Sequence, residues 1–91
     1  MNIQAELSLY PLRTERLDTA ISRFVEQLEA GGLKPEVGAM STVVRGECHR
    51  VFSAVERAFY ACGSEGDIVL VFKVGNACPE YIHKNKELKR A

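Results

Sequence analysis

Ser41 and Thr42, side by side in the stretch Met40 to Glu47, are the residues of this chain best suited to meeting a small polar molecule. Each hydroxyl donates and accepts, so a pair at the mouth of a strand can hold a ligand as readily as it can serve the backbone of a turn. Ser8 and Tyr10 add two more hydroxyls, Asn76 an amide, Glu47 a carboxylate and Met40 a flexible apolar face. These are groups that recognise rather than transform. Cys48 and His49 are neighbours, but neighbours on a helix point ~100° apart. No general acid/base pair or activated nucleophile can be placed in one pocket, so the expectation is a binding protein that is not an enzyme and needs no cofactor. Cys48, Cys62 and Cys78 are widely spaced and never form C-x-x-C, which predicts neither a disulfide framework nor a zinc site.

Those groups must be positioned by ordinary elements. Ile3, Ala5, Leu7 and Leu9 alternate with Gln4, Glu6, Ser8 and Tyr10, predicting a half-buried strand over residues 3 to 10 that Pro11 ends. Thr14 is the predicted N-cap of a helix carrying Leu17, Ile21, Phe24 and Leu28 on one stripe, stopped by Gly31 and Gly32. Glu36 and Val37 form a short strand, Gly38 and Ala39 reverse the chain, and Met40 to Gly46 returns as the third strand. A second helix is predicted from Glu47 or Cys48 to about Ala61, with Val51, Val55, Ala58, Phe59 and Cys62 at helical spacing. The strongest strand signal is Asp67 to Val74, with Ile68, Leu70, Phe72 and Val74 on one face and Val69, Val71 and Lys73 on the other.

The order β-α-β-β-α-β predicts an α+β, ferredoxin-like fold: a four-stranded antiparallel sheet with two helices on one face. With 91 residues the chain makes one domain, expected over residues 1–79, followed by a polar tail or short helix over 80–91 whose Lys84, Lys86, Lys89 and Arg90 form a solvated surface. In this fold the end of the first strand meets the start of the third, so Ser8 and Tyr10 should approach Met40, Ser41 and Thr42. Asn76 should lie nearer the Glu47 end, about 20 Å away, so one small ligand cannot touch both clusters within a single subunit. The sheet face turned from the helices carries Tyr10, Val69 and Val71 beside polar residues, and a symmetric homodimer or higher homo-oligomer would cover it.

Twelve basic residues balance twelve acidic ones, which argues against a nucleic-acid or membrane-surface partner. No basic, apolar leader opens the sequence and no run is long enough to span a bilayer, so a cytoplasmic location is expected.

Ala5 to Leu12, Gly38 to Thr42, Gly46-Glu47, the Val51-Phe52 helix start and Asn76-Ala77-Cys78-Pro79 together resemble the YkoF-related thiamine- and hydroxymethylpyrimidine-binding proteins. The resemblance reaches from the first strand to Pro79. It implies the same fold, assembly into dimers or higher oligomers, and binding of thiamine or its pyrimidine moiety; some relatives carry two such domains, and a homodimer would supply the second. An aminopyrimidine presents ring acceptors beside an amino donor, which Asn76, Ser8, Ser41 and Thr42 can meet. For the thiazolium cation Glu6 or Glu47 offers charge and Tyr10 a π-face, Met40 packs against a ring, and Lys73 suits a phosphate better than a cation. Two other readings share the fold: a regulatory or protein-interaction module for another metabolite, and, more distantly, an RRM-like RNA-binding module.

Overall fold

The computed structural model describes residues 1–77. The expected tail and its basic residues, Cys78 and Pro79 lie outside the described residues. Period-two alternation builds β1 (Asn2–Pro11), which buries Ile3, Ala5 and Leu7 and turns Gln4, Glu6 and Ser8 the other way. The helices α1 (Leu17–Ala30) and α2 (Cys48–Gly63) cover the buried face. With β2 (Glu36–Val37), β3 (Thr42–Glu47) and β4 (Ile68–Gly75), β1 forms an antiparallel sheet of order β2-β3-β1-β4. This is the expected ferredoxin-like arrangement. Its core is Phe24 and Leu28 of α1, Val51, Val55 and Ala58 of α2, and Ala5, Leu7 and Val44 of the central strands.

Both helices end for identifiable reasons. At the close of α1, Gly32 adopts φ +93° and donates to Glu29 O, while Leu33 donates to Leu28 O. That is the Schellman pattern, with Leu33 and Leu28 both buried in the core. Gly31 lets the two helices meet there, because a Cβ at this position would fall 2.6 Å from Ala54 Cβ. Glu47 opens α2 as its N-cap and accepts the Arg50 backbone N–H at 3.1 Å. The N–H groups of Arg50 and His49 hold this carboxyl below the usual glutamate range.

Several expected boundaries move. Thr14 does not cap α1; its hydroxyl accepts from Arg16 N–H at 3.0 Å in a local turn, and Arg16 takes the cap position without a side-chain bond. Leu17 and Ile21, the first half of the predicted stripe, stay largely exposed because the core begins at Phe24. Pro11 does not stop the strand before it but is its last residue, opposite Ile68. β3 has already parted from β1 at Leu7, so on that side Pro11 has no ladder to break. Met40 and Ser41 belong to the turn before β3 rather than to the strand, and α2 runs on to Gly63.

Two stability predictions follow from these contacts. Gly31→Ala should cost about 1–3 kcal/mol in urea denaturation, because the added methyl meets the Cβ and Cα of Ala54, which have no rotamer to swing aside; an unchanged midpoint would contradict the close helix contact. Glu47 has a folded pKa below its unfolded one, so its contribution is complete above the ordinary glutamate pKa and disappears as pH falls through the folded value. In thermal melts between about pH 3 and about pH 7, Glu47→Gln should therefore flatten the acid limb while leaving it in place, since other carboxylates also titrate there.

Candidate functional site

The site begins with an inequality in strand pairing. β3 follows β1 from Asn2 to Leu7, whereas β4 follows it from Gln4 to Pro11. Past Leu7, β1 has no strand partner on its β3 side among the described residues, so main-chain groups of that edge face a notch. The β2–β3 turn folds over it, held by the Gly38 N–H donating to Ser41 O at 2.8 Å. Ile21 and Phe24 of α1 contribute apolar walls. The result is a small cavity of about 100 Å³ whose polar lining includes Ser8, Ser41 and Thr42, with Met40 beside them.

Within it the residues differ in exposure. Thr42, 7% exposed, is the one buried polar residue among the described residues. Met40, 88% exposed, stands on the outer lip. Ser41 donates its hydroxyl proton to Glu6 Oε2 at 2.7 Å, and Lys73 Nζ lies 3.3 Å from Glu6 Oε1. The bond from Ser41, then the bond and charge of Lys73, draw the Glu6 carboxyl below its ordinary pKa and keep it ionised at neutral pH.

The remaining expected residues lie elsewhere. Tyr10 is two residues beyond Ser8, pairs with Val69 of β4 and does not line the cavity. Glu47 is occupied with capping α2. Asn76 sits at the far end of the sheet, its amide 3.7 Å from Met1 Sδ, while Met1 O accepts the Cys48 N–H. Thr42 and Glu47 are five residues apart on β3, or roughly 17 Å, so the two expected clusters are separate within one chain. Cys62 is buried in the core, where desolvation first, then the nearby Glu65 charge, raises its pKa; it is unsuited to nucleophilic chemistry. His49 is exposed.

Two larger clefts open on the β4 side of β1. One of about 440 Å³ lies between the β1–α1 and α2–β4 connections and is crossed by the Arg13–Asp67 ion pair, with N–O 2.7 Å. The other, of about 610 Å³, adjoins it and is bordered by Phe59 and Tyr60. Sequence reasoning missed both, because the ion pair joins residues 54 apart. The charged side chains Arg13 and Asp67 are largely exposed and paired with each other, and Glu65 is paired with Arg23 outside the clefts, so these larger spaces offer less directed recognition than the notch. The Glu6–Ser41 bond was also hidden, since only the strand register joins its partners across 35 residues. No group of three metal-ligating side chains occurs among the described residues. No described helix is long and apolar enough to cross a membrane.

Comparison with known proteins adds a family to this geometry. The family model described as "Thiamine-binding protein" matches residues 5–77. Among solved structures, a Streptococcus pneumoniae protein is similar at TM-score 0.80 and 20% identity, covering 96% of this chain and 99% of its own. A Thermotoga maritima protein, described as a candidate thiamine biosynthesis/salvage protein, is similar at TM-score 0.77 and 21% identity over 98% of this chain and 100% of its own. A domain of unknown function from Bacillus cereus is 26% identical at TM-score 0.71, covering 82% of this chain and 75% of its own. At such identities the first two likenesses speak for the fold alone. No curated protein matches significantly.

Proposed function

The chain belongs to the thiamine-binding protein family, and on that premise we propose that it binds thiamine or its hydroxymethylpyrimidine moiety without transforming it. The pyrimidine ring enters the notch under the β2–β3 turn. The observation that carries this reading is the burial of Thr42 in the wall of the cavity. Its hydroxyl is not a fully buried atom without a partner, so it keeps access to the cavity, where a ligand can exchange a hydrogen bond with it. Ser41 and Ser8 supply further polar contacts, while Phe24 and Ile21 supply apolar walls for a flat ring. The cavity is well below the few hundred cubic ångströms of a site that engulfs a drug-sized ligand, so one ring is seated and the remainder of thiamine projects past Met40. The reading needs neither a catalytic group nor a cofactor. It describes a cytoplasmic binder of a small molecule, with no nucleic-acid or membrane partner.

Assembly through the open sheet face is part of the same reading. Tyr10, Val69 and Val71 are neighbours in register there and remain 51%, 47% and 51% exposed. Homodimerisation through this surface would bury these three side chains. It would also allow the Asn76 region of one subunit to approach the notch of another.

Calorimetric titration with thiamine and with hydroxymethylpyrimidine tests the ligand. Saturable micromolar binding of both, near one site per chain, is expected, and Thr42→Val should weaken it about tenfold with the fold intact. Silence with both ligands would overturn the reading and favour a module that senses another metabolite or contacts a protein. Size-exclusion chromatography of Val71→Asp tests the face: a shift from the wild-type oligomer to monomer is expected, and an unaltered oligomer would place the interface elsewhere.

A further inference from the structure

The two edges of the sheet are unequal. β2, with two residues, closes one side and offers almost no ladder to a further strand. β4 closes the other with eight residues, and among the described residues no strand lies along its outer side. Its pairing with β1 runs without a bulge from Gln4–Gly75 to Pro11–Ile68, and the Leu12 N–H donating to Asp67 O at 2.9 Å carries the same register one step further. About half of the main-chain N–H and C=O groups of such a strand point away from β1. The usual protections of an edge are missing: Ile68 to Gly75 contains no proline, and Lys73 is its single charge. Phe72 faces the helices yet is only half-buried, whereas Leu7, opposite it on β1, is buried.

The strand is also its own complement. Outward from Leu70, Val69 answers Val71, Ile68 answers Phe72 and Asp67 answers Lys73, so an antiparallel copy centred on Leu70 sets apolar against apolar and, twice, acid against base. Asp67 and Lys73 are an even number of steps apart, which puts them on the same side of an alternating strand, that of Val69 and Val71. Both charges are largely exposed and have room for another bond. Arg13 takes Asp67 through Oδ2 alone, and Lys73 gives Glu6 one contact from an ammonium with three donors. A centre moved to Val71 would set Lys73 against Val69 and lose both pairs.

We propose that the outer edge of β4 docks a second copy of this chain, joined antiparallel about Leu70 into one continuous sheet, with Asp67 of each copy against Lys73 of the other. This contact runs along the strand edge. It is separate from the open face assigned above and does not depend on the ligand.

Charge reversal tests it, because Asp67 and Lys73 of one chain are roughly 20 Å apart along the strand and cannot meet each other. In sedimentation velocity over a dilution series, Lys73→Glu alone and Asp67→Lys alone each set like charges together twice and should weaken association about tenfold. An equimolar mixture of the two variants makes both pairs attractive again and should recover the wild-type association within about threefold. Unchanged association of the single variants, or no recovery in the mixture, would overturn the proposal, as would a wild type that is monomeric throughout. Amide hydrogen exchange of the wild type carries the test if a variant loses its native circular dichroism spectrum. Protection at every amide from Ile68 to Val74 is expected in the oligomer, with alternate amides released on dilution to monomer. Fast exchange at alternate residues of the oligomer, or full protection that persists in the monomer, would give the edge to water or to another segment and overturn the proposal.

Discussion

The structure depends on the unequal pairing of its first strand. β1 is held by β3 over its first six paired residues and by β4 over its last eight, so the ladders overlap only from Gln4 to Leu7. Where they overlap, both edges of β1 are satisfied and Ala5 and Leu7 sit in the centre of the core. Where they do not, backbone polar groups and a gap between elements coincide. A protein cannot leave such groups buried and unpaired at low cost, so this is where water or a ligand belongs. The β2–β3 turn closes the gap from above and α1 from below, and the residues best able to recognise a polar molecule stand at its edge.

The open face of the sheet follows from the same strand. Alternation that drives Ile3, Ala5 and Leu7 inward must drive Gln4, Glu6, Ser8 and Tyr10 outward, and β4 continues the pattern with Val69, Val71 and Lys73. Glu6 therefore lies between Ser41 and Lys73 because of register, and its carboxylate links the turn over the notch to the edge strand. The energetic value of the Lys73 contact is small, since that side chain is largely exposed.

Much of this was legible in the residues because alternation and helical stripes are local signals. The faces of the first and last strands, the hairpin through Gly38 and the glycine stop after α1 could all be read that way. What was not legible depends on register and burial, which are long-range. Tyr10 looked like a neighbour of Thr42, but two residues of extension carry it past the notch to Val69. Thr14 carried a capping signal, yet the chain spends one more turn before α1 begins and its hydroxyl serves that turn instead. Glu47 illustrates the converse: one carboxylate suits both a cation site and a helix cap, and its position at the β3–α2 junction decides for the cap.

The central claim is that the notch between β1 and the β2–β3 turn is where a ligand ring enters. An ¹⁵N-labelled sample titrated with thiamine and followed by two-dimensional NMR measures this most directly, because every backbone amide around both the notch and the larger clefts reports separately. The account predicts that the largest shift changes fall on Ser8, Leu9 and Gly38 to Thr42, with Arg13 and Gly66 to Ile68 nearly unmoved. Changes concentrated instead around Arg13 and Asp67 would place the site in the larger cleft on the β4 side and contradict it.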